Sequence, residues 1–219
     1  MLINHHRIKV SKTAHYYTYG DLNHGTKCIW FVFHGYGQTA NEFIKTFSFL
    51  DPKKHMVVAI EGLSRFYREG FDGPVAASWM TREDRLDEIA DYSKFIQGVF
   101  EEYTRELPNE VKVVLFGFSQ GASTVYRWIT SKFPYFHHLI NWAGWIPEDI
   151  NYDDCRDYLM AKKSYFVYGL EDRFLPQDRV NSLHEFVQEK NLNVEFLHFD
   201  GKHEVFVPFL KTFMTKRIK

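Results

Sequence analysis

Ser119 stands in the run VVLFGFSQGAS, residues 113–123, where an apolar stretch gives way to a polar, helix-forming one. Gly117-Phe118-Ser119-Gln120-Gly121 has the spacing G-x-S-x-G. A serine on a sharp strand-to-helix turn has strained backbone angles and an outward hydroxyl, and its neighbours must be small for the backbone to pass. The same pattern arises by chance, and a tight turn uses serine for its own sake. Context favours a nucleophile here: a strand-like run leads in and a helix-like run leads out.

A serine hydroxyl is a weak nucleophile at neutral pH and needs a base, itself oriented by a carboxylate. On a strand–elbow–helix frame the acid and then the histidine follow the serine along the chain. Of the eleven histidines, His203 alone follows the last apolar strand run, behind Gly201 and at the start of the last helical run. His34 lies at the same end of an earlier run but precedes the serine, and reads as a loop-shaping residue. His137 and His138 sit at a strand's entry, the opposite end. Asp149, Asp172, Asp178 and Asp200 are the acids in view. Asp172 follows a strand directly in YGLEDRFLP, with Pro176 and a helix fixing the loop behind it. Asp200, three residues before His203, suits a turn former. The expected trio is Ser119, Asp172 and His203.

Such chemistry also needs donors for a developing oxyanion, and backbone N–H groups serve. Gln120 offers one at a helix N-terminus, where the dipole helps. Tyr36, in HGYGQT, offers the other, its glycines letting the loop curl toward the serine; a plain glycine-rich turn is the alternative for that stretch. Aromatic residues form 18% of the chain. Tyr36, Phe66, Tyr67, Phe71, Trp79, Trp142, Trp145 and Phe174 fall in loops or at strand ends near the expected cleft. Any one of them could be core. Together they suggest an apolar pocket for an acyl or aromatic group, with Trp79, Trp145 and Phe174 as substrate-contacting residues.

The elements that must position these residues can be read from apolar runs. CIWFVFHG, MVVAIEG, VKVVLFG, HLINWAGW, SYFVYGLED and NVEFLHFDG are expected strands. Helical runs alternate with them: ANEFIKTFSFL, a long one with Leu86, Ile89, Ile96, Val99, Tyr103 and Leu107 at three- and four-residue spacing, QGASTVYRWITSKF, QDRVNSLHEFVQEK and HEVFVPFLKTFMTK. Thr81 is the expected cap of the long helix, with Asp84 three residues on. RIKVS and AHYYTYG read as an N-terminal β-hairpin, and residues 63–80 as a glycine-dotted aromatic loop. Continuous apolar strands between helices give an α/β fold, a mostly parallel sheet with helices on both faces. Its ligand end is where the strands' carboxyl ends stand, and His34, Ser119, Asp172 and His203 all fall there.

A chain of 219 residues suits one domain spanning residues 1–219, without a large cap. With 45% apolar residues and a net charge of −1 it has neither a disordered nor a strongly basic character, so no nucleic-acid partner is expected. The basic end KRIK reads as a solvated tail. No run reaches about 18 apolar residues, so no membrane span is expected, and no secretory signal is read at the start. Cys28 and Cys155 are expected free, which suits a cytoplasmic protein. GDLNHGTK lacks the Gly-Lys-Ser/Thr of a phosphate loop, and neither His-Glu pair has a second histidine four residues on. No metal and no cofactor is expected.

FHGYGQ, GFSQGAS, YGLEDRFLP and DGKHEV together resemble the α/β-hydrolases of the phospholipase/carboxylesterase group, which includes the acyl-protein thioesterases. The resemblance spans about residues 28–213. It implies an acyl-enzyme mechanism, and Ser78-Trp79-Met80 is similar to a segment lining that group's cleft, which adds Met80 to the substrate-contacting residues. Tyr36 replaces the leucine usual in the group, and Ala122-Ser123 departs from its small pair after the elbow. The expected function is therefore a serine carboxylesterase acting on small esters or thioesters, as a monomer or homodimer. Acyl-protein thioesterase, lysophospholipase or acyltransferase activity on the same residues, and a catalytically silent binding module, are the rival readings.

Overall fold

The computed structural model describes residues 1–218; Lys219, the last residue of the KRIK end, lies outside the described residues. Nine strands form among the described residues: β1 (Tyr16–Tyr19), β2 (Cys28–Phe33), β3 (His55–Ile60), β4 (Ser64–Tyr67), β5 (Val75–Ser78), β6 (Lys112–Phe118), β7 (His138–Trp142), β8 (Lys163–Gly169) and β9 (Val194–Phe199). The main sheet runs β1-β3-β2-β6-β7-β8-β9. All its pairs are parallel except β1 on β3. Strands β2 and β7 are buried at every residue, as strands covered on both faces must be.

The helices are α1 (Ala40–Phe43), α2 (Arg85–Thr104), α3 (Gln120–Lys132), α4 (Arg156–Met160), α5 (Gln177–Glu189) and α6 (Val207–Arg217). On one face, Phe31 meets Phe100 of α2, Phe33 meets Trp128 of α3, and Phe196 carries His184 of α5. On the other, Trp30 and Phe116 meet Phe47 in the turn after α1, and Trp142 meets Phe209 of α6. The result is a single α/β domain with a mixed, mostly parallel sheet and helices on both faces. Among the described residues no helix is long and apolar enough to cross a membrane.

Three local expectations are corrected. The N-terminal hairpin does not form: residues 7–11 are not a strand, and β1 pairs instead with the free edge of β3. Among the described residues nothing covers the apolar face of RIKVS, so Ile8 and Val10 stay exposed, while Arg7 pairs with Asp84 and Asp87. Residues 63–80 hold a hairpin, β4 against β5, where a loop was expected. The long helix starts at Arg85 with Asp84 in the left-handed region, φ 49°, and Thr81 lies ahead of it. Glu88 in the first turn reaches back and accepts the Thr81 N–H at 2.6 Å. The last helix likewise starts later than expected, at Val207 with Pro208 in its first turn, which leaves His203 on a loop.

Candidate active site

Ser119 is the single residue between β6 and α3. Its φ of 53° and ψ of −119° lie where an L-residue is strained, and its backbone N–H continues the sheet ladder to Trp142 O at 2.9 Å. Both flanking glycines are required by contact. A Cβ on Gly117 would stand 2.4 Å from Ala122 Cα, and one on Gly121 would stand 2.3 Å from Phe33 O.

Asp172 and His203 reach this serine from the loops after β8 and β9. His203 Nε2 lies 3.0 Å from Ser119 Oγ, and Nδ1 lies 2.7 Å from Asp172 Oδ2. The carboxylate can only accept from Nδ1–H, so Nε2 is left bare to accept from the serine hydroxyl. Asp172 is fully buried and also accepts the Phe174 N–H on Oδ1 at 2.8 Å. Phe118 and Phe174 hold the imidazole, with ring centroids 5.0 and 4.7 Å away. Glu171 is exposed and Asp200 stands outside this line, with no bond to His203. An aligned hydroxyl, imidazole and carboxylate can deprotonate the hydroxyl as it attacks an acyl carbon.

The two expected donors face no competing acceptor: among the described residues the N–H groups of Tyr36 and Gln120 make no hydrogen bond. His34 fixes the Tyr36 side. Its Nε2 accepts the Gly62 N–H at 3.0 Å, which puts the ring proton on Nδ1, donated to Gly35 O at 2.8 Å. Burial pushes the His34 pKa down and keeps the ring neutral, as an accepting Nε2 requires. With the Gly35 carbonyl turned toward His34, the N–H of the same peptide group points the opposite way.

The expected pocket residues divide. Phe174, 48% exposed, lies on His203, and Tyr36, 63% exposed, packs against Phe66 with tilted rings 5.4 Å apart. Trp145 is half-buried, its carbonyl accepting from Ser123 Oγ at 2.7 Å. Met80 is half-buried beside the elbow and accepts from Gln120 Nε2 at 2.9 Å. Trp79 is core instead of a substrate-contacting residue: it is 1% exposed, stacked on His34, with Nε1–H donated to His34 O at 2.9 Å. Trp142 is also core. Both indoles have apolar space behind them and a carbonyl for the N–H, which a sequence does not display. The sequence does not single out the side chains of Gln120 and Phe118; their one signal is that they lie inside the elbow motif.

The family model described as serine hydrolase (FSH1) matches residues 27–217. The chain belongs to this family. The FSH1-family chain has the α/β-hydrolase fold, and solved structures agree. Acyl-protein thioesterase 2 from Zea mays is 13% identical with a TM-score of 0.69, covering 94% of this chain and 100% of that one. A phospholipase/carboxylesterase from Dyadobacter fermentans is 17% identical with a TM-score of 0.68, covering 94% and 97%. Esterase PE8 is 17% identical with a TM-score of 0.65, covering 91% and 96%. At these identities the likeness is one of fold. No curated protein matches the chain. Membership of the family supports general serine-hydrolase character.

Proposed function

We propose that the protein is a serine carboxylesterase that cleaves small carboxylic esters or thioesters through an acyl-enzyme on Ser119. The observation that carries this reading is the unbroken line from Asp172 through His203 to Ser119, 2.7 and 3.0 Å, beside two N–H groups unpaired among the described residues. Ser119 Oγ attacks the acyl carbon as His203 Nε2 takes its proton. The carbonyl oxygen gains the charge and is met by the N–H groups of Tyr36 and Gln120. The imidazolium, held by Asp172, returns the proton to the leaving alkoxide or thiolate. Water then repeats the sequence on the acyl-enzyme and frees the acid. Ester and thioester differ only in the leaving group, so the same residues serve both. No cofactor takes part. The buried, free Cys28 and Cys155 suit a cytoplasmic setting.

Hydrolysis of p-nitrophenyl acetate by wild type and Ser119→Ala tests the reading. The variant should fold and lose activity by several orders of magnitude, since the three side chains act as a unit. Turnover near wild type in the alanine variant would overturn it.

A further inference from the structure

The oxyanion donors belong to separate loops: Tyr36 follows β2, and Gln120 follows β6. Residues 77–80, at the end of β5 and just beyond it, bond to both. On the Tyr36 side, Gly37 N–H donates to Ala77 O at 3.0 Å and Ala77 N–H to Gln38 O at 3.1 Å. Trp79 adds its indole N–H to His34 O at 2.9 Å and its ring on the His34 imidazole. On the other side the hydrogen bonds among the described residues are those of the Gln120 carboxamide. Its Oε1 accepts from Trp79 N–H at 3.1 Å and from Ser78 Oγ at 3.4 Å, and its Nε2 donates to Met80 O at 2.9 Å.

We propose that the Gln120 side chain is a positioning residue: it pins residues 77–80 and so fixes the spacing between the Tyr36 and Gln120 N–H donors. The proposal rests on the reading of those groups as the oxyanion site. Gln120 then has two tasks, its main-chain N–H meeting the substrate and its side chain holding the opposite donor in place. Preorganised donors act only at the right separation, and a misplacement of about 1 Å costs about 10²-fold in rate. The chemistry of the side chain is specific. Glutamine alone carries an acceptor and a donor on a two-methylene arm. Glutamate keeps the acceptor for Trp79 N–H but sets a carboxylate oxygen against Met80 O. Methionine fills the space and makes neither bond.

The test compares wild type, Gln120→Met, Gln120→Glu and Trp79→Phe. The readouts are kcat and KM for p-nitrophenyl acetate, inhibition by phenylboronic acid, and amide hydrogen exchange. Phenylboronic acid adds to a serine Oγ and places an oxygen where the oxyanion forms. Gln120→Met should lower kcat by about ten- to 100-fold with KM nearly unchanged, and weaken phenylboronic acid by a similar factor. It should also speed exchange across residues 35–38 and 78–80. Gln120→Glu should move the same way, and carries the test if the methionine variant does not fold. Trp79→Phe, which leaves Gln120 untouched and removes the bond to His34, should give a smaller effect of the same kind. An unchanged kcat, or a rise in KM alone, overturns the proposal. Unchanged exchange in both Gln120 variants overturns it whatever the turnover. A wild type that neither hydrolyses the ester nor binds the boronate instead defeats the reading of the oxyanion site, a result distinct from unchanged exchange.

Discussion

His203 Nδ1 stands 2.7 Å from Asp172 Oδ2, across 31 residues of chain and between two loops that leave the sheet side by side. Strands β8 and β9 pair with Gly169 opposite Phe199, so the loops start level with each other. Asp172 sits three residues past one strand end and His203 four past the other. The Phe174 N–H on Oδ1 sets the carboxylate plane.

That relation makes the acid assignment testable. Asp172→Asn should keep the fold and lower kcat by about 10⁴-fold, because the amide favours the wrong imidazole tautomer. Asp200→Asn should change kcat little. Steady-state kinetics of the two variants decide; the reverse order of effects would make Asp200 the acid.

The elbow glycines set a stability prediction. Gly121→Ala places a Cβ 2.3 Å from Phe33 O and 2.6 Å from His34 O, backbone atoms that cannot move aside independently. It should cost roughly 3 kcal/mol or more, beyond the usual range for overpacking. Urea unfolding measures it. A variant as stable as wild type would show that β2 and α3 are not packed as described.

Much of this was legible in the sequence because it depends on order and periodicity. The six apolar runs became the six parallel strands, and the turn at Ser119 followed from glycines either side of it. What was not legible depends on partners far apart in the chain. Ile8 and Val10 alternate as a strand would, yet only the sheet shows that Tyr16–Tyr19 takes the edge of β3. The β4–β5 pair is short and has only a seven-residue connection, residues 68–74, to announce it. Trp79 reads as a cleft residue until the space beneath His34 is known.

Short acyl chains should suit the site best. Phe174 and Tyr36 stand exposed beside it, and the connection from β3 to α2 holds only the β4–β5 hairpin. A buried methylene gains about 0.8 kcal/mol, and the gain ends where the pocket does. Across p-nitrophenyl esters from acetate to palmitate, kcat/KM should peak at short chains and fall for long ones. A profile rising steadily to palmitate would point to a long channel and to lipid or acyl-protein substrates.

Acid stability should reflect His138, which begins β7 and is stacked on Tyr165. Burial, with Lys163 adding to it, pushes its pKa down to about 4. The unfolded chain then binds a proton that the folded chain refuses between about pH 6.5 and 4, so stability falls as pH drops through that window. The neutral His34 acts in the same sense. Urea midpoints from pH 7.5 to 4 should decline, and His138→Phe should flatten part of the slope. An identical slope in that variant would show that His138 does not contribute to the pH dependence.

Ser119 is proposed above as an activated nucleophile. Labelling with a fluorophosphonate probe followed by peptide mapping tests it most directly, because only an activated hydroxyl is phosphonylated. One adduct is expected, on the peptide carrying Ser119, lost in Ser119→Ala and nearly lost in His203→Ala. No adduct on the folded wild-type protein, or an adduct on another residue, would contradict it.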